Sequence, residues 1–166
     1  MIFQFMDNGK KKKFLNGISN FGIKKIEETL VKWGSERVRA YTGTLSKEEI
    51  ASIVSFAPIE AIGLYVGKDS IDKKSGNHEY RLSVDSTYLW KDKIKENIIE
   101  LNEEQEREWF LGNDIDIEDN QKNNLNGFVA IKSQKDKDFI GIGKIGSENI
   151  LYNFLPKERR IKRTVI

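Results

Sequence analysis

Apolar and polar positions along the chain change their period several times, and each change marks an element. In DNGKKKKFLNGISNF, Asp7 stands in a capping position and Phe14, Leu15, Ile18 and Phe21 follow at helical intervals, predicting a helix over 8–20 with Gly17 as its weak point. ETLVKWGSERVRAYTG then switches to period two. Leu30 and Lys32 fall on one face and Val31 and Trp33 on the other, and after Gly34-Ser35 the alternation resumes with Val38 and Ala40 facing away from Arg37 and Arg39. A two-residue Gly-Ser connection predicts a β-hairpin with a type II′ turn. LSKEEIASIVSFAP returns to the helical period, with Ser46 as N-cap, Glu49 closing the capping box, Leu45 and Ile50 as a hydrophobic staple, and Pro58 just beyond the end.

Two β-rich runs, IEAIGLYVGK and NHEYRLSVDSTYL, joined by the polar DSIDKKSG, read as a second antiparallel pair. In NIIELNEEQEREWFLGN a short strand ends at Leu101, Asn102 caps a helix with Gln105 at the box position, and Gly112 stops it. GFVAIKS, FIGIGKIG and NILYNFL are three further strands, and the alternation of RIKRTVI predicts a closing strand that seats apolar residues in a barrel and lines cations along its other face. This order is α+β: a small mixed α/β N-terminal domain over 1–94, then a β pseudobarrel with one short helix over 95–166, with the boundary in WKDKIKEN.

Composition narrows the function more by exclusion than by assertion. The 166 residues are 38% hydrophobic and 33% charged, enough apolar matter for a packed core and too much for a disordered chain. The absence of cysteine removes disulfides, thiolate metal sites and a thiol nucleophile. MIFQFM is too short for a signal peptide's apolar region and precedes its lysines, and no stretch has the length of a membrane span; a cytoplasmic protein with no membrane partner is expected. The net charge is +2, yet Lys10 to Lys13 contribute +4 and residues 156–166 another +4, which leaves 2 − 4 − 4 = −6 on the rest. Two cationic patches on an acidic body suit either a solvated surface or a polyanionic partner.

Candidates for catalysis are few. His78 is the sole histidine and sits among polar neighbours, so no nucleophile-base pair or zinc site assembles around it. NDIDIED lacks the glycine and the final glutamate of a calcium loop, and Asp114, Asp116, Glu118 and Asp119 read as a solvated strand and loop. Gly141, Gly143 and Gly146 match G-x-G-x-x-G, but SENILYNF continues as strand where a dinucleotide site needs a helix; a bulge or a close backbone approach fits better. The chain is expected to be no enzyme and to hold no cofactor or metal.

The run from IGLYVGKDSIDKKSGNHEYRLSVDSTYL through ENIIELNEEQEREWFLGNDIDIE to GFVAIKSQKDKDFIGIGKIG resembles the PUA-type RNA-binding proteins, over roughly 59–163. Two families compete. One is the Nip family of ribosome-biogenesis factors, with its strand, short helix ending F-L-x-G-N and glycine-rich strand. The other is the PUA-like C-terminal domain of NOL1/NOP2/Sun-type RNA cytosine-5 methyltransferases, whose closing P-K-x-R-R is matched by Pro156, Lys157, Arg159 and Arg160. Either resemblance implies a PUA pseudobarrel that binds RNA beside the short helix. It places Leu111, Gly112, Asn113 and Asp114 at the helix exit, Lys144 on the glycine-rich strand, and Lys157, Arg159, Arg160 and Lys162 on the closing strand, with the acidic NDIDIED departing from the neutral or basic surface expected there.

Independently of that resemblance, three of the seven arginines lie in the tail, where bidentate phosphate contact is favoured. Gly112 reads either as a plain helix stop or as a site where a nucleotide approaches bare backbone. The expected function is a non-catalytic RNA-binding protein acting on rRNA or tRNA in ribosome biogenesis or RNA modification. Lys157, Arg159, Arg160, Lys162 and Arg163 would contact phosphates, and Arg81, Lys68 and Lys10 to Lys13 would extend the footprint. The alternative is a protein-interaction module that docks to an RNA methyltransferase or ribosome-assembly factor; an enzyme built on the carboxylates is a third reading.

Overall fold

A computed structural model describes residues 3–162. The chain divides into two compact units, one made of residues up to Ser19 together with Lys24–Ser86, the other of Asn20–Ile23 and Thr87 onward. The protein is α+β, with one five-stranded sheet in each unit.

In the first unit the strands β1 (Phe3–Phe5), β2 (Thr29–Trp33), β3 (Arg37–Tyr41), β4 (Leu64–Ile71) and β5 (His78–Leu82) pair antiparallel in chain order. Helix α1 (Asn8–Gly17) starts where Asp7 accepts the Lys10 N–H at 2.8 Å. It seats Phe14 against Gly67 of β4 and edge-on to Tyr80 of β5. Helix α2 (Lys47–Phe56) has the expected capping box, Ser46 accepting from Glu49 N and Glu49 from Ser46 N. It buries Ile50 with Phe3, Val31 and Ile62. Strand β1 was not anticipated: three residues are too few to show a period, and Phe3 stacks on Trp33 only once the sheet exists.

Two local expectations need correction. The β2–β3 turn holds three residues, because Trp33 pairs with Arg37. Glu36 belongs to the turn: its carbonyl accepts from Asp69 N and its carboxylate meets Lys68 at 2.7 Å. The end of NHEYRLSVDSTYL is a helix, α3 (Val84–Leu89), which starts where Ser83 Oγ accepts the Ser86 N–H at 3.2 Å. That local cap outweighs the β-branched composition.

The second unit is built on the sheet order β6 (Ile98–Leu101), β8 (Gly127–Ser133), β9 (Phe139–Ile145), β10 (Ile150–Asn153), β7 (Ile115–Asp116). All its pairs are antiparallel except β6 with β8. Helix α4 (Glu103–Leu111) connects β6 to β7, and a short helix, α5 (Asp119–Lys122), falls in the polar stretch before β8. Val129, Ile131, Leu101 and Leu151 are each buried, as is Trp109 of α4. The register slips between Ile131 and Lys132, opposite Gly141 and Phe139, the bulge that the glycine spacing suggested.

Candidate nucleic-acid interface

The site is built outward from helix α4. Asn102 and Gln105 cap its start reciprocally, and Trp109, fully buried, donates from Nε1 to the Ile140 carbonyl at 3.3 Å. The indole needs the gap at Gly141, where a Cβ would stand 2.9 Å from Trp109 Cζ2. This sets the glycine-rich strand under the helix. GIGKIG is therefore a seat for large side chains rather than a phosphate loop.

At its C-terminal end the helix closes on Gly112 at φ 87°, with Gly112 N donating to Trp109 O at 2.9 Å and Asn113 N to Glu108 O at 3.1 Å. These bonds satisfy carbonyls that the helix end leaves open. The space above Gly112 is filled by Arg160: a Cβ there would lie 2.5 Å from Arg160 Cδ. Arg160 Nε in turn donates to the Leu155 carbonyl at 2.9 Å. Neither reading of Gly112 from sequence covers this, since its missing side chain admits an arginine of the same chain.

Asn153 ties the last strand to the helix. Its Nδ2 donates to the carbonyls of Trp109 (2.8 Å) and Asn113 (2.9 Å), its Oδ1 accepts from Leu155 N, and its own N–H goes to Asp114 Oδ1 at 2.8 Å. Asn113 Nδ2 returns to Glu108 Oε2 at 2.5 Å. Nothing in the sequence near Asn153 signalled this role, because every partner except Leu155 lies about 40 residues away.

From Phe154 to Lys162 the chain does not run as the expected closing strand. Pro156 has no N–H to offer, β7 already occupies the far side of β10, and Lys157–Arg159 form a single 3₁₀ turn with Arg160 N bonded to Lys157 O. The segment is nonetheless fixed, by Arg160 and by Ile161 N donating to Phe110 O at 2.8 Å. Lys157, Arg159 and Lys162 are exposed and Arg160 is half-buried. Arg163, and with it the end of the predicted strand, lies outside the described residues.

The other candidates are distributed. Lys144 lies on β9, its ammonium 4.9 Å from the centre of the Phe128 ring, opposite Tyr152 of β10, which is 40% exposed. Lys68 and Arg81 belong to the first unit, paired with each other across β4 and β5. The acidic stretch has structural work: Asp114 accepts from Asn153, Ile115 and Ile117 are buried, Glu118 caps α5, and Asp119 accepts from Asn149. All four carboxylates are exposed, as a solvated strand and loop requires, and those of Asp114 and Asp119 also bind Asn153 and Asn149.

With this geometry in hand, residues 96–161 match the family model described as the methyltransferase RsmF PUA domain. This segment is a PUA-like domain. The match begins just before β6, ends at Ile161, and covers less than half of the chain. Of the two resemblances drawn from the sequence, it falls on the methyltransferase one. Comparison with curated proteins yields no match. The PUA domain is a non-catalytic RNA-binding module, so a role in RNA binding or RNA modification follows for this part of the chain.

Proposed function

We propose that the protein is a non-catalytic, cytoplasmic RNA-binding protein that holds ribosomal or transfer RNA during ribosome biogenesis or RNA modification. The observation that carries this reading is the coincidence of the PUA match with a fixed cationic turn: Lys157, Arg159 and Lys162 are exposed on a segment that Arg160 and Ile161 anchor to the exit of α4. A set of cations held in place gives a phosphate backbone a preorganised partner, and binding is then electrostatic and shape-reading. At Gly112 the RNA meets the Arg160 guanidinium in place of bare backbone.

The test is a salt titration with labelled tRNA and rRNA fragments. Neutralising about five phosphates of single-stranded RNA gives a slope of log K against log salt of about −3.5. Replacing Lys157, Arg159 and Lys162 together with alanine should reduce that slope by about 2; a slope near zero for the unaltered protein overturns the reading. The alternative, docking to an RNA methyltransferase or pre-ribosomal factor, is favoured by α2, which leaves Phe56 87% and Ile53 42% exposed. A pull-down that survives nuclease treatment would select it.

A further inference from the structure

The first unit lies outside the PUA match, yet one row of its sheet is built in a way that folding alone does not explain. The register runs Phe3–Trp33–Arg37–Lys68–Arg81, one residue from each of the five strands, all on the same face. Its first two members stack, ring centres 5.6 Å apart and nearly parallel. Its last three are cations directly opposite one another on neighbouring strands.

Like charges in directly opposed positions destabilise a sheet, and neighbouring strands are only about 4.8 Å apart. The compensation inside the protein reaches Lys68 and Arg81 but not Arg37. Lys68 meets Glu36 at 2.7 Å, while Arg37 is exposed and has no ion pair among the described residues. The nearby Arg39 is a contrast: its guanidinium is bound to the carbonyls of Ile62 and Gly63, and both burial and the charge of Arg37 lower its pKa. Helix α2 covers the β1–β2 end of the face through Ile50 and Val54. Arg37 at the other end is exposed, Lys68 and Arg81 are half-buried, and Trp33, partly exposed at the edge of the α2 core, is the cross-strand neighbour of Arg37.

We infer that this row is a second binding surface for single-stranded RNA, with Arg37, Lys68 and Arg81 on the phosphates and Trp33 offering a ring for a base. A rigid sheet that sets cations in line beside an aromatic combines the two means by which single strands are held, backbone charge and base stacking. The inference rests on the RNA-binding reading above and extends it to the unit that the family match leaves out.

Tryptophan fluorescence isolates this surface. Trp90 and Trp109 are fully buried, and Trp33 is the partly exposed one of the three. Titrating the full chain with an oligouridine on the order of 15 nucleotides long should quench Trp33. The pair Arg37→Ala and Arg81→Ala should abolish the quenching and reduce the salt slope by about 1.4, two contacts at about 0.7 each, while Arg37→Lys with Arg81→Lys keeps both. The lysine pair also guards against misreading a folding defect, and thermal unfolding checks each variant. If the alanine pair leaves slope and quenching unchanged while loss of Lys157, Arg159 and Lys162 lowers the slope, this surface is refuted and the C-terminal reading stands. If the unaltered chain neither binds nor is quenched, both fall.

Discussion

Arg160 sits in the space that Gly112 leaves empty: a Cβ at position 112 would lie 2.5 Å from Arg160 Cδ and 2.8 Å from its Nε. Two separate costs therefore meet in Gly112→Ala. The backbone at φ 87° is left-handed, which costs a side chain about 1–2 kcal/mol, and the methyl group displaces the arginine as well. A total loss of about 2–4 kcal/mol is expected in denaturant unfolding. Adding Arg160→Ala should recover about 1 kcal/mol of it, as residues in contact couple by such amounts; strictly additive losses would show that the contact has no energetic weight.

Asn153→Ala should be the most damaging polar substitution in the second unit. It removes two donors and one acceptor at once and leaves the carbonyls of Trp109 and Asn113 without that partner. Trp109 O keeps its bond from Gly112 N, whereas the Asn113 carbonyl and the Leu155 N–H lose this partner; unsatisfied groups cost about 1–3 kcal/mol each, so a loss of about 2–4 kcal/mol is expected. Asn153→Asp keeps the acceptor for Leu155 but sets an anionic oxygen against both carbonyls, and should lose at least as much as Asn153→Ala. Hydrogen exchange at Gly112 and Asn113 should accelerate in both variants; an unchanged rate there would separate the strand end from the helix exit.

How far the sequence foretold this structure depends on the reach of the interactions. Caps within three residues were legible: Asp7 to Lys10, Ser46 with Glu49, Asn102 with Gln105, and Gly112 as the stop of α4. Strands with a clear period of two were legible as well. What was not legible depended on distant partners. RIKRTVI alternates like a strand, but Pro156 and the occupied flank of β10 leave its described part no ladder to join. The residue types at the helix exit pointed to Gly112 and the tail arginines, whereas the meeting of Arg160 with Gly112, and the clamp by Asn153, exist only after β10 is laid beside the helix.

Lys157 and Arg160 should separate binding from architecture. Lys157 is exposed, so Lys157→Ala is expected to lower the RNA salt slope by about 0.7 and leave stability within about 0.5 kcal/mol. Arg160→Ala removes a hydrogen bond to Leu155 O and the packing over Gly112, and should cost about 1–2 kcal/mol in addition to any change in slope. Equal stability effects in the two variants would contradict the anchoring role of Arg160.

The first unit carries a pH-dependent contribution centred on Asp69. Burial alone would raise its pKa, but hydrogen bonds from His78 (Nδ1 to Oδ1, 2.6 Å) and Lys32 (Nζ to Oδ2, 3.2 Å) outweigh burial and hold it below the ordinary carboxylate value. Lys13 Nζ lies 3.1 Å from His78 Nε2 and can only donate, so the proton that His78 gives to Asp69 is on Nδ1. A carboxylate with a depressed folded-state pKa binds its proton more readily when unfolded. Its stabilisation is complete above about pH 4 and declines as the pH falls through the folded value. In thermal unfolding the unaltered protein should exceed Asp69→Asn by a constant margin above about pH 5, and that margin should shrink below about pH 4. A margin that grew on acidification would mean that the His78 and Lys32 contacts do not favour the charged carboxylate.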